Sequence, residues 1–218
     1  MRPLPKQGRP FFGAQILFLA IMLLQASCIS LGQQDRIAPA TYIFEAALPL
    51  ETGGTHPAAT AVLLVSMPRA VAGYDTARMA YMRESGKLEY YRDHRWADRP
   101  GRMLHPLLVK ALEESGAYQA VVMAPTMATT DLRLETEVLR LRQVFAGPGS
   151  SQIQLALRLQ LIVADRVVAT KIFAKTMAAE SADPQGGAAA TNKALNQLLP
   201  EIARFVGAAL LHDSSAGP

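Results

Sequence analysis

The longest regular alternation of apolar and polar positions lies in SQIQLALRLQLIVAD, from Ser151 to Asp165. Ile153, Leu155, Leu157, Leu159, Leu161 and Val163 interleave with Gln152, Gln154, Ala156, Arg158, Gln160 and Ile162. A period of two held this long predicts a strand with one face on a core and the other toward solvent or a partner. The preceding stretch, DLRLETEVLRLRQVF, keeps Leu132, Leu134 and Val138 at even positions and then moves to odd ones at Leu139 and Leu141. One extra residue near Val138, a β-bulge, produces that change of phase. Downstream, Asp165-Arg166 marks a tight turn into VVATKIFAKTM, and AGPGS at 146–150 marks another. Together these segments predict an antiparallel meander. Two shorter runs, TYIFEAAL from Thr41 and AVLLVSM from Ala61, predict strands separated by the loop ETGGTHPAAT.

A period near 3.6 occurs twice. From Arg102 to Gly116 it runs through Met103, Leu104, Leu107, Leu108, Ala111 and Leu112, with Asp98 and Pro100 suited to the entry, Gly116 to the exit and Pro106 in the first turns. From Pro184 to Leu211 the stripe is Leu195, Leu198, Leu199, Ile202, Phe205, Val206 and Ala209, with Asp183 as the cap and Pro200 inside. The expected fold is an α/β two-layer sandwich: a mixed, mainly antiparallel sheet with two helices packed on one face. Residues 40–211 form the domain, and HDSSAGP, 212–218, reads as a disordered tail.

The N-terminus follows a different pattern. Arg2, Lys6 and Arg9 precede an apolar run from Phe11 to Leu24, and the small residues Ala26 and Ser27 precede Cys28. A basic flank, a short apolar core and a small-residue zone are the parts of a secretory signal peptide, here residues 1–27. Cys28 is the chain's single cysteine. LQASC resembles the lipobox of bacterial lipoproteins, with Gln25 where Leu, Val or Ile is usual. That resemblance implies that Cys28 becomes the mature N-terminus and carries acyl chains, with residues 28–39 as a tether to the domain. A lone cysteine also rules out an internal disulfide framework.

Charge narrows the possibilities further. The chain has 22 Lys and Arg against 18 Asp and Glu, a net +4. Three of those charges belong to the signal segment, so the remainder carries no excess with which to grip a nucleic-acid backbone. Beyond residue 31 no apolar run approaches the length of a membrane span.

The chemistry-bearing residues do not converge in the sequence. His56, His94, His105 and His212 are scattered without metal-ligand spacing, and neither a metal nor a cofactor is implied. No nucleophile elbow, Walker A or dinucleotide fingerprint occurs, so no catalytic residue is assigned. GPGSS at 147–151 reads as a hairpin turn. Glu135 and Glu137 share a parity beside Arg140 and Arg142, as a charge-paired solvated face does. Asp183-Pro184-Gln185-Gly186-Gly187 reads as a helix cap. Pro68–Met103 stands out, with Tyr74, Tyr81, Tyr90, Tyr91 and Trp96 interleaved with seven arginines, Arg95 among them. That is the composition of an interface, and Tyr74, Tyr81, Tyr90, Tyr91, Arg95 and Trp96 are the candidate partner surface. Equally, the same tyrosines could sit on two short strands, MAYM and KLEYY, and cover a sheet edge.

GYDTARMAYM, KLEYYRDHRWADRPGRMLHPLL, LRLETEVLRLRQVF, and SADPQGG followed by Asn192 and Leu195, in that order, resemble the ABC-type transport auxiliary lipoproteins. The likeness spans about residues 40 to 210. It implies a lipid-anchored outer-membrane component on the periplasmic side, partnering an ABC transporter and an MCE-domain protein in moving phospholipids or other hydrophobic molecules between two membranes. Ile29 after the cysteine agrees with outer-membrane sorting, and a homo-oligomeric ring is compatible with the family. Two other readings stay open: a lipid carrier, which needs an apolar cavity between sheet and helices, and an envelope hydrolase, which needs His94 or His105 against a serine and an acid.

Overall fold

A computed structural model describes residues 38–47, 61–84, 86–127, 130 and 132–215, with side chains as far as Leu210. The signal segment, Cys28 and most of the tether, the 51–60 loop and the last three residues lie outside the described residues. Among those described, the elements are β1 (Ala40–Tyr42), β2 (Val62–Val65), β3 (Arg69–Ala70), β4 (Arg78–Met82), β5 (Glu89–Trp96), α1 (Pro100–Glu114), β6 (Ala120–Met123), β7 (Leu132–Gly147), β8 (Ser150–Val163), β9 (Arg166–Ala178) and α2 (Pro184–Ser215).

The nine strands form one open mixed sheet against which the two helices pack, the expected sandwich. Its axis is β7. Along one edge β7 pairs over its whole length with β8, and β8 with β9, giving the antiparallel meander read from the alternation. The other edge is shared. β2 pairs with Leu132–Leu134, β3 with Glu137 and Val138, and β4 with Gln143 and Val144, all parallel to β7. β2, β3 and β4 are therefore consecutive pieces of one interrupted strand. Seven residues between β3 and β4 leave the sheet as a turn held by Tyr74 N–H and Asp75 N–H on the Val71 carbonyl. From this line the sheet forks: β6 pairs with β2, while β5 pairs with β4 and β1 with β5. Parallel pairings outnumber antiparallel ones, five to three, but the antiparallel ones contain the long strands.

The phase change in β7 is a bulge at Leu139: Val138 faces Leu157 and Arg140 faces Ala156. Leu132, Leu134, Thr136 and Val138 are buried before it, Leu141 and Gln143 after it. The odd residues of β8 from Ser151 to Leu161 are buried as the alternation requires, although Ala156 and Ile162 on the other face are covered too. At the β8–β9 turn Ala164 and Asp165 both take positive φ, the conformation a two-residue hairpin demands.

Both helices run through their prolines, Pro106 and Pro200. α1 ends at Glu114, and Gly116 takes φ +65°, a left-handed exit that glycine adopts without a Cβ clash. α2 buries Leu195, Leu198, Leu199, Ile202 and Val206, and continues to Ser215, into the segment read as a tail. Besides that extension of α2, four features differ from the sequence reading: the strand at Thr41 is short, the KLEYY strand extends to Trp96, and β3 and β6 are additional strands. β6 is AVVM, too brief to carry a period, and only its parallel pairing to β2 makes it a strand.

Candidate functional site

The segment Pro68–Met103 builds β3, β4, β5 and the entry to α1, and its aromatic residues do not share one surface. Trp96, the last residue of β5, is 3% exposed and packs edge-on against Phe44 with ring centroids 5.0 Å apart. It belongs to the core, which corrects its assignment to a partner surface: β5 pairs with β1 here, and the chain after β1 folds Phe44 over the indole.

Tyr90 lies elsewhere. Its hydroxyl donates to the Gly73 carbonyl at 2.9 Å, and the Arg78 guanidinium sits 3.9 Å from its ring centroid. Arg95 registers opposite Arg78, is exposed, and reaches Thr41 Oγ1 at 3.4 Å. Tyr74 is half-buried in the adjoining turn.

Tyr81 and Tyr91 form a third group with residues that sequence patterning misses. Between Tyr90 and Arg95, β5 carries three more residues than β4 does between its paired positions, so the strand bulges. Tyr91 and His94 come together there, their rings 6.1 Å apart. Tyr91 stacks at 4.5 Å on Tyr81, Tyr81 meets Phe145 edge-on at 6.0 Å, and His94 stacks at 5.9 Å on Tyr42. Tyr42 Oη and His94 Nδ1 share a hydrogen bond of 3.1 Å. The result is a ladder of half-buried rings, Tyr42, His94, Tyr91, Tyr81 and Phe145, drawn from β1, β5, β4 and β7. The exposed Arg83 guanidinium lies 5.5 Å from the Tyr81 centroid and 4.8 Å from that of Phe145. One available signal is Phe145's place two residues beyond Gln143. The others need the pairing of four strands.

Beneath the ladder a polar chain ties the sheet to the start of α2. Tyr91 Oη donates to Gln143 Oε1 at 2.9 Å, and Gln143 Nε2 donates to Ser151 Oγ at 2.7 Å and to the Asp183 carbonyl at 3.0 Å. Gln143 is 1% exposed, so each bond satisfies a group that water does not reach. Burial pushes the Tyr91 hydroxyl up to about 12 and outweighs the opposing pull of Arg83. Asp183 caps α2 by accepting the Gly186 N–H at 2.7 Å. That bond, then the Ser181 hydroxyl, holds its carboxyl below the usual carboxylate range. A Cβ on Gly187 would stand 2.5 Å from Gln143 Oε1, which explains why this helix begins with glycines. Asn192 accepts the Glu45 N–H at 3.1 Å, joining α2 to the chain after β1.

Other polar side chains of the domain are hydrogen-bonded or ion-paired as follows. His105 is buried, with Nε2 2.9 Å from the Val65 carbonyl, and His94 packs against Tyr42 and Tyr91 with its charge helping to hold the Asp183 carboxyl low. Glu135 pairs with Arg69 at 3.6 Å and Arg133 at 3.5 Å, and Glu137 with Arg158 at 2.9 Å. The face is charge-paired as expected, but through these arginines, since Arg142 bonds Gln154 instead. Among the described residues no group of three His, Cys, Asp or Glu side chains is placed to hold a metal.

Residues 42–203 match the family model described as ABC-type transport auxiliary lipoprotein component. A Xanthomonas campestris protein assigned to the DUF330 family model is 25% identical, with a TM-score of 0.70 over 82% of this chain and 99% of that one. A second solved structure, titled an uncharacterized protein, is 14% identical, with a TM-score of 0.58 over 78% of this chain and 99% of the other, and it shares the fold. No curated protein matches.

Proposed function

From the premise that the chain belongs to the ABC-type transport auxiliary lipoprotein components, we propose that it works as a lipid-anchored adaptor of an ABC transporter and MCE-domain system that moves phospholipids or other hydrophobic molecules across the envelope. Acylated Cys28 holds it to the outer membrane on the periplasmic side, and binding free energy, not bond chemistry, carries its role. The observation that carries this reading is the family match over most of the folded domain, on a body in which His94 and His105 are hydrogen-bonded and Glu135 and Glu137 are ion-paired.

Partner contact belongs on the face of β4 and β5 that presents Tyr90 and Arg95 beside the Tyr74 turn. Arg78 stacked on Tyr90 leaves a flat, amphipathic, pre-ordered surface, which loses little entropy on binding. The lipid-carrier reading draws less support, because the described sheet–helix interface is filled by side chains such as Leu63, Leu108, Leu157, Leu198 and Ile202, each fully buried.

Photocrosslinking in the native envelope tests the adaptor. A photoreactive residue at Arg95 is expected to yield an adduct with the MCE-domain protein, and one at Ile172, on β9 far from that face, is not. Absence of any transporter or MCE adduct from the Arg95 position in cells that assemble the system would overturn the proposal.

A further inference from the structure

The aromatic ladder occupies the end of the sheet that carries the β7–β8 hairpin. Tyr81 registers with Gln143 and Met82 with Val144, so β4 ends there, and antiparallel β5 begins there. α2 starts over Gln143, whose amide reaches the Asp183 carbonyl. Phe145 lies two residues further along β7 on the same edge, so the sheet reaches past the start of the helical layer and its last rings are only half covered.

The direction of β1 connects this rim to the anchor. β1 is parallel to β5, with Ala40 registered to His94, itself a member of the ladder. β1 therefore runs away from the rim, and its first residue, Ala40, is the one nearest to it. Twelve peptide steps separate Cys28 from Ala40, which at full extension span about 40 Å and no more. Full extension of that segment from Ala40 covers the rim, which strand register puts nearer to Ala40 than the β8–β9 turn.

We infer that this rim rests on the headgroup layer of the membrane that anchors the protein, with Tyr81 and Phe145 at the boundary of acyl chains and headgroups and Arg83 on lipid phosphates. The inference rests on the lipoprotein reading. Tyrosine rings have an apolar body and a polar tip, which suits the boundary between hydrocarbon and water. Guanidinium is the side chain fitted to phosphate, and ring contacts pre-order that of Arg83. The contact fixes which way the tethered domain faces, leaving the Tyr90–Arg95 face beside it open to a partner.

The test uses the mature acylated protein in phosphatidylethanolamine–phosphatidylglycerol vesicles that contain a nitroxide headgroup lipid. Acylation blocks Cys28, so an introduced thiol takes the fluorophore alone, either at Ala146→Cys on the rim or at Arg166→Cys at the far turn. Quenching is expected to be severalfold stronger at position 146, and Arg83→Glu with Tyr81→Ser is expected to bring the two positions to parity. If that double variant does not fold, hydrogen exchange of the unsubstituted protein replaces it, and vesicles are then expected to add protection at 81–83 and 143–147. Equal quenching at 146 and 166 in vesicle-bound protein, or added protection confined to other segments, overturns the inference and leaves anchoring intact. Failure to co-sediment with vesicles removes the anchoring reading and this inference with it.

Discussion

Trp96 and Tyr91 stand on one strand, yet one is core and the other rim. Trp96→Ala removes a buried indole and its edge-on contact with Phe44. A loss of about 3–5 kcal/mol is expected, read from urea unfolding. Any loss of partner binding in that variant therefore reports unfolding. Asp183 provides a residue-scale test with a sign. Its hydrogen bonds lower the folded pKa, so its contribution is present above the unfolded value and is lost as pH falls through the folded one. Asp183→Asn keeps an acceptor for the cap but removes that acid dependence. Thermal melts from pH 6 down to 2 are expected to show a shallower fall for the Asn variant, while Asp183→Ala costs about 1 kcal/mol at neutral pH.

At the scale of elements, the bulge at Leu139 keeps two halves of β7 facing the core with opposite parity. Deleting Leu139 leaves Val138 buried, Arg140 outside and Leu141 buried, which is a regular alternation in register with β8. Deleting Glu135 instead inverts one half of the strand and drives charged side chains inward. The Leu139 deletion is expected to give soluble protein with a cooperative melt and the Glu135 deletion is not, as circular dichroism and size-exclusion chromatography would show. The meander, the bulge and both helices were legible because their periods run over ten residues or more. β3 and β6 were not legible, because two to four residues carry no period and exist as strands only beside β7 and β2.

For the whole molecule, the proposed anchor at Cys28 precedes the folded domain in the sequence, so the proposal predicts that the two can be separated. Replacing residues 1–28 with a cleavable secretory signal that has no lipobox cysteine is expected to move the protein from the membrane to the soluble periplasmic fraction with an unchanged melting temperature. A variant that still sediments with membranes after an alkaline wash would disprove anchoring through that thiol.

Local order along the chain was enough to determine the long strands of the meander, both helices, their core faces and the Asp183 cap, since periodicity and capping act over short stretches. Whether an aromatic residue reaches solvent was decided by tertiary structure alone. Tyr91 and His94 meet through a bulge in β5, Tyr42 and Phe145 join them from strands 100 residues apart in the chain, and Phe44 closes over Trp96. Those contacts depend on which strands pair and in what register, and the composition of a single segment does not contain that information.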